Sequence, residues 1–372
     1  MCRWIVFVSN GPPAKLSDIL SKPRHSLVSQ SYHAAYHPGF SSCNNALLNA
    51  DGFGCSWYAE DGRLFLFKSV SPAWSDPNLR ELQEYITSRV FFGHVRAASP
   101  GSLVSHENCH PFKHGRLAFM HNGHIEGFPL LRRALLARLS DAAFHAVQGL
   151  TDSEHAFALL LSQLEDPARA TPFAPAELSA ALVATIAQLL ELLRSAGVTG
   201  GFTSLNFALT DGATVVATRF CDQWPRIPPP SLYCALPTCE DLALELAGPQ
   251  GAAAAPGDGA GAPAGGGGSG SGAAAPDSAG EAYARRASRW AACEALVQAA
   301  TPTISSRALL IASEPATEGA SSRVQWLAMP ANALVSFTLG AGAAPALSRL
   351  EDLLSPPSGS GAAAGGSAMD RK

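Results

Sequence analysis

A cysteine at position 2 constrains this chain more than any other feature, because a short β-type run, residues 4–8, follows it almost directly. Removal of Met1 would leave Cys2 with a free α-amino group beside its thiol. These two groups titrate near pH ~8 and ~8.5, so one residue would supply both a nucleophile and a base. Taken alone, a cysteine near a terminus is more commonly a small hydrophobic residue. The segments that follow decide between these interpretations.

The composition predicts a globular protein with an ample core. Of the 372 residues, 47% are hydrophobic and 15% are charged, and the net charge is −4. Because no basic run offsets that charge, we expect no nucleic-acid partner. The eight cysteines have irregular spacings, which indicates reduced thiols rather than a disulfide framework. We expect no leader and no membrane-spanning run, and therefore a cytoplasmic protein.

The hydrophobic patterns predict strands, then helices, then further strands. Strand patterns cover residues 4–8, 53–58, 63–68, 90–95, 116–120, 206–209, 214–218, 308–313 and 333–337, and helical patterns cover 128–147, 153–165 and 176–196. The turn pair Asp211-Gly212 joins two of these strands as a hairpin. This order favours helices packed on sheet faces, which is an α+β fold.

Two Gly/Ala/Pro/Ser tracts interrupt these patterns, at residues 248–280 and 340–372. Such segments have too few bulky apolar residues to offset their own ordering entropy, so we expect both to be disordered. About 60 ordered residues beyond the first tract would make a poor core of their own. We therefore predict one domain over residues 2–340, with an insertion at 248–280 and a disordered tail at 341–372.

The segment from His106 to His110 matches the H-E-x-x-H pattern of zinc peptidases. That pattern holds zinc only on a helix, where two histidines four residues apart share one face. Here Pro111 follows directly and biases His110 away from helical geometry. We interpret the match as chance, with His114 or His121 left open as a third ligand.

Three polar segments lie next to predicted structural elements. Arg96 ends a strand, where its planar guanidinium is able to hold a carboxylate, although a surface arginine also fits there. The Asn122 amide and the Gly123 N–H are able to form an oxyanion hole, but Asn-Gly is also a common turn pair. Asp152 follows Thr151 in a pattern typical of a helix N-cap, which explains it without chemistry.

Together these segments resemble the class II glutamine amidotransferases, N-terminal-nucleophile hydrolases that begin Met-Cys. The similarity is dense over residues 1–165 and resumes at 206–219 and 311–315. Within the family, the chain is similar to the amidotransferase-like subunit of the fungal glutathione-degrading complex. The segments that carry the resemblance are 1–3, 49–54, 71–74, 93–96, 107–112, 120–123 and 151–157.

The resemblance implies a four-layer αββα sandwich and a role for each candidate residue. Cys2 would attack the γ-carbonyl of a γ-glutamyl amide and form a γ-glutamyl thioester, with its own amino group moving the proton. Asn122 and the Gly123 N–H would hold the oxyanion, Arg96 the substrate α-carboxylate and Asp152 its α-ammonium group. No cofactor and no metal are implied. Amidosynthases of this class continue the arginine motif with Trp and a Thr-His pair, whereas this chain has Ala-Ala-Ser-Pro at 97–100.

Three functions remain open at this stage. The favoured one is a hydrolase that cleaves the γ-glutamyl bond of glutathione, with a metallopeptidase-like protein partner. The second is a glutaminase-type subunit that delivers ammonia to a synthase. The third is a non-catalytic regulatory subunit, which the complete set of candidate residues disfavours.

Overall fold

The computed structural model describes residues 1–34, 48–99, 101–247, 279–317, 322–340 and 345–355. Most of the strands in these ranges belong to two sheets. The strands are β1 (Arg3–Ser9), β2 (Ala14–Lys15), β3 (Phe53–Tyr58), β4 (Leu64–Ser69), β5 (Thr87–Ser88), β6 (Val90–Val95), β7 (Phe112–His114), β8 (Leu117–His124), β9 (Ser204–Thr210), β10 (Thr214–Arg219), β11 (Tyr233–Ala235), β12 (Ala308–Ala312), β13 (Leu327–Ala328), β14 (Ala333–Thr338) and β15 (Ala346–Arg349).

Along the sequence, most of the helices occur between strands. They are α1 (Leu16–Leu20), α2 (Leu27–Gln30), α3 (Pro77–Leu82), α4 (Phe128–Leu136), α5 (Asp141–Ala146), α6 (Asp152–Leu161), α7 (Pro175–Ser195), α8 (Cys239–Ala247), α9 (Ala279–Ala300) and α10 (Leu350–Leu354), with a 3-10 segment at Thr301–Ser306.

The two large sheets stack face to face. The seven-stranded sheet has the order β13-β11-β12-β1-β6-β3-β4, and the six-stranded sheet has the order β15-β14-β10-β9-β8-β7. Buried residues of β1, such as Trp4 and Val6, meet residues of β8, such as Met120, in the core between the sheets. Helices α4 to α7 cover the outer face of the six-stranded sheet, and α1, α2, α3 and α8 cover that of the other. These layers form the predicted αββα sandwich.

Strand β1 lies at the centre of the seven-stranded sheet. It pairs antiparallel with β12 on one side and with β6 on the other, and all seven of its residues are buried. An apolar strand buried on both faces reads as a continuous hydrophobic run, which explains the pattern at 4–8. The start of β1 therefore lies beside the ends of β6 and β12.

Helix α7 belongs to the core of the outer helical layer. Its length and composition alone would allow it to cross a membrane. One of its faces, however, packs against neighbouring helices and the six-stranded sheet, with Leu182, Ile186 and Leu189 fully buried. This is the amphipathic pattern of a helix that covers a sheet.

Several boundaries differ from the sequence prediction. The predicted helix at 128–147 is two helices, because the Ser140 side chain accepts a hydrogen bond from the Ala143 N–H and caps a new helix. Helix α9 was not predicted, and it begins at Ala279 inside the predicted insertion. The rest of that insertion, residues 248–278, lies outside the described residues.

The prediction of a disordered tail from residue 341 is wrong for residues 346–355. Strand β15 pairs with β14, and Leu350 at the start of α10 is fully buried among the helices that cover the six-stranded sheet. The Gly/Ala-rich sequence on both sides hides a short apolar pattern that tertiary contacts stabilise. The domain therefore continues to residue 355, and residues 356–372 lie outside the described part.

Two substitutions in α10 test whether this segment is packed against the core. We expect Leu350→Ala to lower the free energy of unfolding by about 2–5 kcal/mol, because it leaves a cavity in the core. Leu353 on the same helix is 44% exposed, so Leu353→Ala should change stability by about 0.5 kcal/mol or less. Urea denaturation of both variants measures the difference, and equal effects would show that the tail is not packed as described.

Candidate active site

Cys2 lies at the entrance of β1, opposite the end of β6. Its sulfur accepts a hydrogen bond from the Ala97 N–H at 3.4 Å and lies 3.6 Å from the Ala97 carbonyl oxygen. The pairing of Arg3 with Val95 fixes this arrangement, since it brings the residues after β6 beside the chain terminus. The thiol is half-buried, so it remains accessible to a small molecule.

Asn122 and Gly123 lie inside β8, where they pair with Asn206 and Leu205 of β9. The interpretation of Asn-Gly as a turn is therefore wrong. The Asn122 Nδ2 group makes a long 3.5 Å contact with the Ser313 hydroxyl, so it retains donor capacity toward another acceptor. A Cβ atom on Gly123 would lie 1.9 Å from the Ser204 carbonyl oxygen, which explains why glycine is required there.

Arg96 follows β6 directly and is 4% exposed. Its guanidinium donates to the Leu103 carbonyl at 3.0 Å and to the Ser102 hydroxyl at 2.7 Å. Among the described residues, no Asp or Glu side chain forms an ion pair with it. A guanidinium has five N–H donors, so capacity remains for the carboxylate of a ligand.

Asp152 is the first residue of α6, and Thr151 caps this helix as predicted. One Asp152 oxygen accepts a hydrogen bond from the Ile125 N–H at 2.8 Å, just beyond β8, and the other accepts from the Ser153 N–H at 2.7 Å. A carboxylate has about four acceptor positions, so it is able to hold an ammonium group as well. These bonds fix its position beside the end of β8.

The five predicted residues thus lie at one end of the stacked sheets. Cys2 and Arg96 are joined through Ala97, and Asn122 is joined to the start of β1 through the Ser313 hydroxyl, which also accepts from the Trp4 N–H at 3.0 Å. Gly123 is next to Asn122, and Asp152 contacts the residue that follows β8. No single segment of sequence would bring these groups together.

Three buried histidines lie behind this end of the sheets. The rings of His94 and His110 stack at 4.2 Å, and His94 Nε2 lies 3.2 Å from the His121 carbonyl oxygen. Burial lowers the pKa of His94 to about 3, the pKa of His110 to well below its usual value, and the pKa of His121 as well. All three imidazoles are therefore neutral near pH 7.

The H-E-x-x-H match does not form a zinc-peptidase helix. Residues 106–110 form turns, which agrees with the interpretation of the match as chance. His106 is exposed, whereas His110 is buried against His94 and Phe112. The two histidines therefore do not share one face, as zinc ligands on a helix would.

The arrangement suits attack by a thiolate on an amide carbonyl. The Cys2 thiol contacts Ala97, next to the buried guanidinium of Arg96, while the Asn122 amide faces the Ser313 hydroxyl beside the start of β1. The Asp152 carboxylate lies just beyond the end of β8. Such fixed donors stabilise an oxyanion because they need no reorganisation during the reaction. A substrate with one free α-amino acid head and an amide at a distance complements these charges.

Two residues without a predicted role, Ser313 and Glu314, reach this site. Ser313 and Glu314 directly follow β12 and contact β1 and β8. Their signal in the sequence was a polar pair at the end of an apolar strand, within the segment 311–315 that contributed to the family resemblance. Their partners on β1 and β8 are between 191 and 311 residues away in the chain, so spacing could not reveal them.

Comparisons with known proteins agree with this geometry. The family model of the class II glutamine amidotransferases matches residues 34–229. This range contains four of the five predicted site residues, and Cys2 precedes it. The structure of a glutamine aminotransferase class-II domain protein from Silicibacter pomeroyi aligns over 94% of this chain and 98% of its own, with a TM-score of 0.52 and 20% identity. This likeness shows a shared fold.

Two curated proteins are similar in sequence. The probable glutamine amidotransferase DUG3 of Saccharomyces cerevisiae is 38% identical over 234 residues, which are 59% of this chain and 64% of the yeast protein. The gamma-glutamyl-hercynylcysteine sulfoxide hydrolase of Mycolicibacterium smegmatis is 28% identical over 222 residues, 60% of this chain and 80% of that protein. The chain thus matches a little under two thirds of the length of the yeast relative.

The neutral histidines predict a loss of stability in mild acid. Below pH ~6.5 the unfolded chain binds protons that the folded protein excludes, because folding lowers these pKa values. Stability should therefore fall as the pH drops from about 6.5, by up to about 1.4 kcal/mol per pH unit for each histidine.

His110→Leu tests this link, because it removes one of the titrating groups at similar volume. The free energy of unfolding, measured in urea at pH 7 and pH 5, should depend less on pH in the variant than in the parent protein. If the variant and the parent lose the same amount of stability, His110 is not held neutral in the folded protein.

Proposed function

This chain belongs to the class II glutamine amidotransferases, and we propose that it hydrolyses the γ-glutamyl amide bond of glutathione with Cys2 as the nucleophile. The observation that carries the proposal is the position of Cys2, at the entrance of a buried strand whose start also meets Arg96 and Asn122 through single intervening residues. Activity on γ-glutamyl amides in general follows from the same geometry.

Once Met1 has been removed, the reaction proceeds in two steps, which are acylation of Cys2 and hydrolysis of the resulting thioester. The Cys2 amino group takes the thiol proton, the sulfur attacks the γ-carbonyl carbon, and the oxyanion is held by Asn122 Nδ2 and the Gly123 N–H. Collapse breaks the C–N bond, the leaving amine takes the proton, and a γ-glutamyl thioester remains. Water then attacks this thioester and releases glutamate and the free thiol.

The glutamyl head is recognised by complementary charge. Arg96 retains N–H donors for the α-carboxylate, and Asp152 retains acceptor positions for the α-ammonium group. Both side chains are held by hydrogen bonds to backbone or neighbouring groups, so little reorganisation is needed when the substrate binds. Glutamine and glutathione share this head and differ only in the amine that leaves.

The surroundings of Cys2 favour a leaving group larger than ammonia. The residues after Arg96 are Ala97, Ala98 and Ser99, so no bulky side chain follows the arginine there. The mycobacterial relative is named for a γ-glutamyl substrate whose leaving group is also larger than ammonia. Cysteinylglycine, the leaving group of glutathione, fits the same pattern.

The assembly and the location of the protein are part of this proposal. We expect a metallopeptidase-like protein partner, which would hydrolyse the released cysteinylglycine, and we expect the complex to work in the cytoplasm. The alternative is an ammonia-delivering glutaminase subunit, which the name of the yeast relative as a probable glutamine amidotransferase supports.

The guanidinium of Arg96 provides a test of head-group recognition. Arg96→Met should lower kcat/KM by an amount equivalent to about 2–5 kcal/mol, because the substrate carboxylate loses its partner. Arg96→Lys keeps the charge but loses the planar fork, so it should restore only part of the activity. Steady-state kinetics on folded variants provide the comparison. Full activity in Arg96→Met would place the carboxylate elsewhere, and full activity in Arg96→Lys would show that the planar fork is not needed.

The choice of leaving group separates the two candidate functions. We expect kcat/KM for glutamate release to be higher with glutathione than with glutamine, most clearly when a metallopeptidase-like protein from the same genome is added. Amino-acid analysis of both reactions, with Cys2→Ala as the inactive control, measures this ratio. A higher value for glutamine in the presence of the partner would replace the glutathione hydrolase with the ammonia-delivering subunit.

A further inference from the structure

A buried ion pair joins the start of β1 to the segment after β12. Arg3 Nε lies 2.6 Å from Glu314 Oε1, and the two side chains are 2% and 0% exposed. The pair spans 311 positions of sequence. Charges are taken out of water at high cost, so a pair this deep adds little net stability, while removal of one partner alone would leave an uncompensated buried charge.

The guanidinium of Arg3 also holds the backbone that carries the nucleophile. Its Nη1 group donates to the Cys2 carbonyl at 3.0 Å and to the Met1 carbonyl at 3.1 Å. Since a guanidinium is planar and rigid, fixing one side on Glu314 fixes the direction of the other. The Cys2 carbonyl contact involves no atom of Met1.

Glu314 is itself held on both oxygens. Its Oε2 atom lies 2.6 Å from His25 Nε2, and the Gln30 side chain donates to the His25 carbonyl at 2.8 Å. The carboxylate therefore cannot rotate without breaking a contact to Arg3 or to His25. This makes it a fixed point against which the chain terminus is aligned.

Ser313, the preceding residue, contacts both halves of the site. Its N–H donates to the Trp4 carbonyl at 3.0 Å, and its hydroxyl accepts from the Trp4 N–H at 3.0 Å and faces Asn122 Nδ2 at 3.5 Å. The Ser313 hydroxyl thus contacts both the backbone of Trp4, two residues after Cys2, and the side-chain amide of Asn122, the proposed oxyanion donor.

From these contacts we infer that Ser313 and Glu314 are positioning residues, which set the Cys2 backbone and the Asn122 amide relative to each other. Arg3 transmits the position of Glu314 to Cys2. The inference deepens the proposed function, because it names what aligns its nucleophile and its oxyanion donor. A nucleophile misplaced by about 1 Å is enough to slow a reaction by about 100-fold.

The experiment must separate positioning from stability. The double variant Arg3→Met with Glu314→Leu removes both buried charges together, so it should fold, with a Tm lowered by the loss of the His25 contact to Glu314. Arg3→Lys keeps the charge beside Glu314 but lacks the planar fork, which makes it a second variant if the double variant does not fold. The matched control is Arg286→Met with Glu351→Leu, which removes an ion pair between α9 and α10.

The first readout is the pH profile of iodoacetamide alkylation at Cys2, located by peptide mass spectrometry. This readout needs no substrate, so it remains valid even if the enzyme proves to prefer glutamine. We expect a displaced profile in the double variant and in Arg3→Lys, together with a fall in kcat of about 100-fold and little change in KM. The control variant should keep the parent profile and kcat.

The role of the Ser313 hydroxyl is tested by comparing a variant that removes it with a conservative variant that keeps it. Ser313→Ala should lower kcat, whereas Ser313→Thr keeps the hydroxyl and should retain most of it. If the folded double variant or folded Arg3→Lys shows the parent alkylation profile and kcat, the ion pair is only structural and the inference fails. Equal kcat in Ser313→Ala and the parent would likewise remove Ser313 from this role.

Discussion

The site depends on the burial of strand β1 in the middle of the seven-stranded sheet, because this strand places the half-buried Cys2 at its entrance. Terminal residues fray unless they are held on both sides, and β1 is held by antiparallel pairing with β12 and β6. Because β1 runs against both neighbours, its first residue meets their last residues. That topology brings Cys2, Arg96 and Glu314 to one edge of the sandwich. The stacked six-stranded sheet then supplies Asn122 from β8 across the interface.

Much of the fold was predictable because its signals are local. The strand at 90–95 and the Asp211-Gly212 hairpin agree with the structure, since hydrophobic period and turn chemistry act over a few residues. The failures have tertiary causes. Asn122-Gly123 has the composition of a turn, yet pairing with β9 keeps it extended. Strand β15 lies in a Gly/Ala-rich region, where pairing with β14 and the packing of Leu347 against the core stabilise it.

The residues of the candidate site differed in how much of their role the sequence could predict. Arg96 was conspicuous because a charged residue ends an apolar strand, whereas Asp152 looked like an ordinary helix N-terminal residue and received a role only from the family resemblance. Both side chains retain hydrogen-bonding capacity for a ligand. Their role in binding stays a prediction. Ser313 and Glu314 could not be assigned roles from sequence, because their contacts with β1 and β8 are between distant segments. Residue type and local position indicate which side chains are able to react or bind a ligand. The residues that position them are identified only once the topology of the sheets is known.

In the proposed reaction, Cys2 is the mature N-terminal residue and carries the acyl group during turnover. Mass spectrometry of the N-terminal peptide, after an acid quench during glutathione hydrolysis, measures both parts of this claim. We expect a peptide that begins at Cys2, lacks Met1 and bears a γ-glutamyl group on the cysteine. Active protein that retains Met1, or an acyl group found on any other residue, would contradict it.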